Sequence, residues 1–321
     1  MALKGAALMR SGIYGQAERP MADIDLLVRD AEVREATKLL EDCGFAMTFN
    51  TWRHQLFESR DKGAASAGVL GEHVDNPLKI ELHTRICERL PVNEVDITSF
   101  VFPADPRAGL NDYPSSASLM MHLLLHAAGN MRAHALRLIQ LCDIVRLAER
   151  FRPNDWADLL DARSNGRDLW WAMPPLALTA RYHPGAIPPS VLEQLSARCS
   201  WLLRRLSRRQ RLSEVSWSNI RIYALPGLEW CSSPQEAVRF VISRAWPSRQ
   251  TRTELRRFAA HQVGAGEIPW YGLSQGRRIL RWVFSKPPRV QALLPIRAAL
   301  AASDKQANTA ELSSAAVTPR S

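Results

Sequence analysis

Two stretches of the chain carry apolar residues at every second position with acids between them, and the second alternates strictly. In the first, Ile24, Leu26 and Val28 alternate with Asp23, Asp25 and Leu27; in the second, Ile80 and Leu82 alternate with Lys79, Glu81 and His83. A period of two puts residues i and i+2 on one face of a strand. Residues 22–28 and 78–85 are therefore predicted strands, each with an apolar face and an acid-bearing face. Phe45–Phe49 and Trp52–Glu58 read as two further short strands around a turn. A different period separates them from the first strand. Val33, Ala36, Leu39 and Leu40 recur at helical spacing, which predicts a helix over 31–43, capped by Asp30 and stopped by Gly44. Ala6–Tyr14 reads as a short helix, and Gly15–Pro20 as the loop leading to the acidic strand.

After about residue 105 the helical period takes over. Ser115 or Ser116 caps a helix through Ala128. Arg132–Phe151 is predicted as a second helix with a broad apolar face of Leu136, Ile139, Leu141, Ile144, Val145 and Ala148. Asn154-Asp155-Trp156 opens a third, and Pro188-Pro189-Ser190 precedes another that runs to about Leu206. Residues 60–77 are rich in Gly, Ala and Ser and read as a loop. Residues 303–321 are rich in Ala, Ser and Thr without apolar periodicity and are predicted disordered. The expected organisation is a strand-bearing unit over 1–105, a helical unit over 112–295 and a tail over 303–321.

Composition narrows the classes. The chain has 321 residues, 46% hydrophobic and 23% charged, which is enough for one large or two modest domains. Its formal net charge of +10 favours anionic partners: nucleotides, nucleic acid or an acidic membrane surface. The five cysteines are scattered with no C-x-x-C, which suits reduced thiols rather than a disulfide frame or a zinc site. No stretch approaches the roughly 20 apolar residues of a membrane span. The best one, Leu119–Ala128, is interrupted by His122 and His126, and the start lacks the apolar run of a signal peptide. A cytoplasmic protein is expected.

The chemistry concentrates on the acidic strand faces. Asp23 and Asp25 project from one side of their strand, and two neighbouring carboxylates repel unless a cation lies between them. A hard divalent metal with oxygen ligands satisfies that pair; an exposed edge strand with a polar face is the other reading. If the 78–85 strand lies alongside, Glu81 joins Asp23 and Asp25 around one metal or two. Lys4-Gly5 ahead of a helix is a weak anion-site signal, and Arg19 precedes the acidic strand. His83 shares the Glu81 face. His122 and His126, four apart, lack the Glu of H-E-x-x-H and read as packing or hydrogen-bonding residues at a domain interface. Asp143, inside an apolar helix, reads as a partnered structural acid or a pocket acid. Arg204, Arg205, Arg208, Arg209 and Arg211 form one basic run; Arg252, Arg256, Arg257, Arg277, Arg278 and Arg281 form another. With Trp201, Trp217, Trp270 and Trp282 interleaved, they read as solvated helix faces, or as a surface for nucleic acid, an acidic partner or an anionic membrane.

The ordered series Leu3-Lys4-Gly5-Ala6-Ala7, Arg19-Pro20, Asp23-Ile24-Asp25-Leu26-Leu27-Val28, Cys43-Gly44-Phe45 and Ile80-Glu81-Leu82-His83 resembles an uncharacterised nucleotidyltransferase family of the polymerase-β-like superfamily. That family is of the type found in lasso-peptide and polysaccharide gene clusters. The resemblance extends through Leu119–Ala128 and Leu141-Cys142-Asp143-Ile144, and covers roughly the first half of the chain. It implies an α+β fold: a small mixed β-sheet domain followed by an α-helical domain. It also implies transfer of an NMP group from an NTP to a hydroxyl or carboxylate of a small molecule or peptide, among biosynthetic partner proteins. Asp23, Asp25 and Glu81 would hold two Mg²⁺ ions and carry the catalysis, with Lys4, Gly5, Arg19 and His83 binding the nucleotide. The turn is Lys-Gly-Ala where many superfamily enzymes have Gly-Ser. Relatives carry a region ahead of the Leu-Lys-Gly motif, whereas this chain is expected to start inside the first strand. A catalytically degenerate scaffold, or a basic nucleic-acid-binding module, is the alternative.

Overall fold

The structure is a computed structural model describing residues 1–21, 23–51, 54–60, 78–161, 168–216, 224–249, 251–253 and 274–284. Residues 61–77 of the loop predicted over 60–77 and the tail over 303–321 lie outside the described residues, as do Arg256, Arg257, Trp217 and Trp270.

The N-terminal part contains α1 (Lys4–Arg10), β1 (Ile24–Leu27), α2 (Val33–Asp42), β2 (Phe45–Asn50), β3 (His54–Ser59) and β4 (Lys79–His83). The four strands form one mixed sheet in the order β1-β4-β3-β2. β1 and β4 run parallel in the register Asp25↔Glu81, and β3 pairs antiparallel with β4, placing His54 opposite His83. At the free edge of β1, Ala2 forms an antiparallel bridge with Leu26, and the Leu3 N–H donates to Asp25 O at 2.9 Å.

The alternation in the sequence is the two-sidedness of this sheet. Phe57, Ile80 and Leu82 are buried on one face, with Ile24, Leu26, Val28 and the Ala36 and Leu40 stripe of α2 packed against them. The opposite face carries Asp25 and Leu27 of β1 and Glu81 and His83 of β4. There Leu27 joins the main core, which continues into the helical part.

After the short hairpin β5 (Cys87–Arg89) and β6 (Glu94–Asp96) and the single turn α3 (Thr98–Val101), the chain is helical among the described residues. α4 (Ser116–Arg132) is the central element, with Ser115 capping it through the Ser118 N–H as the sequence predicts. Around it lie α5 (Leu138–Ala148), α6 (Pro153–Asp161), α7 (Met173–Tyr182), α8 (Pro189–Ser196) and α9 (Trp201–Ser207). Pro174 and Pro175 sit in the first turn of α7, where missing N–H groups do no harm. α10 (Leu212–Val215), α11 (Pro234–Ala245) and α12 (Gln275–Phe284) follow. One contiguous core joins Leu3, Leu8 and Leu27 to Met120, Leu124, Leu141, Trp171 and Leu176.

Three predicted helices differ. The helix expected over 132–151 is confined to α5, because His134 takes a left-handed φ of 53° and the Leu136 N–H leaves the helical path to bond Val215 O at 3.0 Å. The helix expected to run to Leu206 breaks between α8 and α9, where Ser200 caps α9 through the Leu203 N–H. Asp30 opens a 3₁₀ turn rather than capping α2, and the Arg29 N–H is instead received by Glu32.

Candidate active site

A cleft opens between the polar face of the sheet and α4 with the start of α5. It consists of two adjoining cavities of about 160 and 150 Å³, both walled by Lys4, Glu81 and His126. Asp23, Asp25, Arg19 and Gly5 line the second; His54, His83 and His122 line the first.

Asp25 is the hub. Its carboxylate lies 2.6 Å from Lys4 Nζ and 2.9 Å from His83 Nε2. Burial works against its ionisation, but Lys4 and His83 outweigh it and hold the Asp25 carboxyl well below the usual range. Lys4 feels the same burial; Asp25, Glu81 and Asp23 overcome it and raise its pKa. Lys4 sits where α1 begins, with a left-handed φ of 45° that turns the chain from the β1 edge into the helix. His83 Nε2 also lies 3.3 Å from Glu81 Oε2. Burial lowers His83, the bonds to Asp25 and Glu81 raise it, and the raising contributions prevail. Glu81 is lowered despite its burial, chiefly by His83. Asp23, one residue ahead of β1, is raised by burial and then by Asp25. The Asp pair thus has its pKa values pushed in opposite directions.

The helical wall contributes His122. It is buried, and its Nδ1 shares a hydrogen bond with the Tyr113 hydroxyl at 2.7 Å, while that oxygen receives the Lys4 N–H at 3.4 Å. Burial first, and Lys4 second, lower His122 to about 3, so its ring is neutral. One turn on, His126 contacts the Asn130 amide at 3.2 Å. The expectation of hydrogen-bonding histidines at an interface describes both residues, and both also line the cleft.

Arg19 lines the cleft beside Asp23, but Asp143 engages its fork: Nε donates to Oδ1 at 2.8 Å and Nη2 to Oδ2 at 2.7 Å. The Tyr14 hydroxyl donates to the same Oδ1 at 3.0 Å. This explains Gly5: a Cβ there would fall on the Arg19 guanidinium. The first turn of α1 is therefore covered by arginine. Asp143 is a partnered acid, and it also lines the second cavity.

His54 is the residue that sequence reasoning missed. Its Nε2 lies 3.7 Å from Glu81 Oε1, and its ring centroid is 5.2 Å from that of His83. Among the described residues, one group of three His, Cys, Asp or Glu has ligand atoms all within 4.8 Å of one another: His54, Glu81 and His83. Gln140 was missed too. It is 6% exposed, its Oε1 receives the Arg137 N–H, and its Nε2 has no partner.

The profile of a family described as an uncharacterised nucleotidyltransferase matches residues 1–172. The chain belongs to this nucleotidyltransferase family. No curated protein and no solved structure matches the chain. The matched span includes every residue of the cleft named above. Membership makes transfer of a nucleotidyl group, with an NTP as donor, the general activity. Among the described residues no helix is long and apolar enough to cross a membrane. All five cysteines are free thiols.

Proposed function

We propose that the cleft transfers an NMP group from an NTP to a hydroxyl or carboxylate of a small molecule or peptide in a biosynthetic pathway. The observation that carries this reading is the pairing of Asp25 with Glu81 across parallel β1 and β4, with a cation already drawn onto Asp25. The Lys4 ammonium at 2.6 Å marks that oxygen as a position demanding positive charge, and buried carboxylate oxygens on adjacent strands are the donors a hard divalent cation takes. Asp23, Asp25 and Glu81 offer the oxygen donors Mg²⁺ takes, but their ligand atoms are not gathered within 4.8 Å of one another as those of His54, Glu81 and His83 are. Mg²⁺ bound by them would neutralise the triphosphate and acidify the acceptor hydroxyl.

The remaining work falls to the chain's own groups. Lys4 transfers its charge from Asp25 to the phosphates when the nucleotide enters. His83, held between Asp25 and Glu81, orients both carboxylates. Glu81 receives the acceptor's proton as the acceptor oxygen bonds to the α-phosphorus and the bond to the β-phosphate oxygen breaks, releasing pyrophosphate. Such a displacement rests mainly on positioning and charge neutralisation. Arg19 acts from its anchored place by its field and by covering Gly5.

The test is calorimetry of each NTP with Mg²⁺, on this chain and on the Asp23→Asn, Asp25→Asn double variant with its fold checked. Binding that needs both metal and carboxylates, followed by Mg²⁺-dependent release of pyrophosphate with acceptor, supports the reading. A folded protein that binds no NTP overturns it. The second reading, a non-catalytic scaffold, is favoured by the same Lys4–Asp25 pair, since an ammonium that never leaves Asp25 would exclude the metal.

A further inference from the structure

We infer that His54, Glu81 and His83 form a binding site for a divalent transition metal of the zinc class, next to Asp25. The inference deepens the transfer reading by naming a metal class for the same cleft. Its basis is the strand register. His54 and His83 face each other across antiparallel β3 and β4, and Glu81 lies two residues before His83 on the same face. Two imidazoles and a carboxylate therefore converge without help from any loop.

The distances suit a small tetrahedral ion. Bonds of about 2.0–2.1 Å to nitrogen and oxygen place neighbouring ligand atoms roughly 3.3–3.4 Å apart. Here His83 Nε2 is 3.3 Å from Glu81 Oε2, His54 Nε2 is 3.7 Å from Glu81 Oε1, and all three ligand atoms fall within 4.8 Å. Imidazole nitrogen is a borderline donor that favours Zn²⁺ and Co²⁺ over Mg²⁺, which prefers oxygen and keeps its waters. Three protein ligands leave a fourth position, and the group lines the cavity shared with His122 and His126. Asp25 Oδ1, 2.9 Å from His83 Nε2, supplies the negative charge that offsets the nearby Lys4 ammonium.

The experiment is a Co²⁺ titration of the full chain, followed by its visible absorption and by calorimetry, and repeated with Zn²⁺ in competition. One equivalent is expected to bind with the intense visible bands of tetrahedral nitrogen–oxygen coordination and to resist a large excess of Mg²⁺. Even an outer-shell partner of a metal ligand is worth about 10–100-fold in affinity, so His54→Gln and His83→Gln should each cost at least tenfold. Asp23→Asn should leave Co²⁺ affinity unchanged while weakening Mg²⁺-dependent NTP binding, which separates the two proposals. Thermal unfolding with and without Zn²⁺ gives a second readout: the wild-type chain is stabilised, and the folded histidine variants are not. Equal Co²⁺ affinity in the wild type and both histidine variants would overturn the inference. So would displacement of Co²⁺ by stoichiometric Mg²⁺, or a near-ultraviolet thiolate charge-transfer band tracing the ion to a cysteine.

Discussion

Asp143→Asn removes half of the contact that ties the loop before β1 to α5. In the wild-type chain Asp143 accepts two charged hydrogen bonds from Arg19, at 2.8 and 2.7 Å, and one from Tyr14 at 3.0 Å. Both ionic side chains are almost fully buried, at 9% and 4% exposure. Asparagine keeps one acceptor oxygen, which can serve Tyr14 and one guanidinium N–H. Its amide then points N–H groups at the other N–H of the fork, and the buried guanidinium loses the carboxylate that engages it. Breaking a buried pair in this way costs about 3–5 kcal/mol. For a folded unit of this size, 3 kcal/mol corresponds to a fall in Tm of roughly 6–12 °C. Urea unfolding followed by circular dichroism measures the loss. The companion is the Arg19→Met, Asp143→Leu double variant, which removes both charges and fills their space. It should regain most of the stability, because both charges of the pair leave the interior together. If Asp143→Asn lies within about 1 kcal/mol of wild type, or the double variant is no better than the single, the pair is not a buried ion pair in solution and the anchoring role of Arg19 is wrong.

Three further outcomes follow from the same geometry. Gly5→Ala should cost about 1–3 kcal/mol of stability, since its methyl group displaces the Arg19 guanidinium; a neutral effect on urea unfolding would contradict that packing. Lys4→Met should tighten divalent-cation binding by freeing Asp25 and weaken NTP binding about tenfold, by loss of one charge-assisted contact, both read by calorimetry. His122, lowered to about 3 by burial, stays neutral in the folded chain while the unfolded chain protonates near pH 6.5. Its contribution is therefore complete above pH 6.5 and declines as pH falls toward 3, by at most about 1.4 kcal/mol per pH unit. His122→Gln should flatten that part of the stability profile, and an unchanged slope would assign the acid sensitivity elsewhere.

The sheet was legible because its sides differ so sharply. Alternation in Lys79–His83 and in Asp23–Leu26 reports one face packed on α2 and one face lining a cleft, and a register slipped by one residue would bury acids under Leu40. The resemblance then supplied the nucleotidyltransferase family. What remained hidden depends on contacts between residues far apart in the chain. Arg19 meets Asp143 across 124 positions, and no local pattern marks an arginine as anchored rather than ligand-facing. His54 sits in a short segment whose partner strand cannot be read without the β3–β4 register. The hairpin of β5 and β6 has three residues a side and is held by Arg85 on Glu94 and Asp96, too short for periodicity to register. The break at 133–137 escaped because the apolar period of α5 continues backwards through Leu136, while the chain there has already turned to pair with Val215.

The division of the cleft between two walls has a consequence for how such a protein can diverge. Lys4, Asp25, Glu81 and His83 stand on or beside strands that fix one another, so each is costly to replace. The facing wall of α4 and α5 shares its buried side with a large helical core but turns a few side chains, among them His126, Asn130 and Gln140, toward the cavities. Under the proposed transfer, substitutions there change which acceptor is held while the sheet keeps its carboxylates and histidine in place. Gene duplicates of this architecture would then be expected to drift along one helix surface and stay constant along two strands.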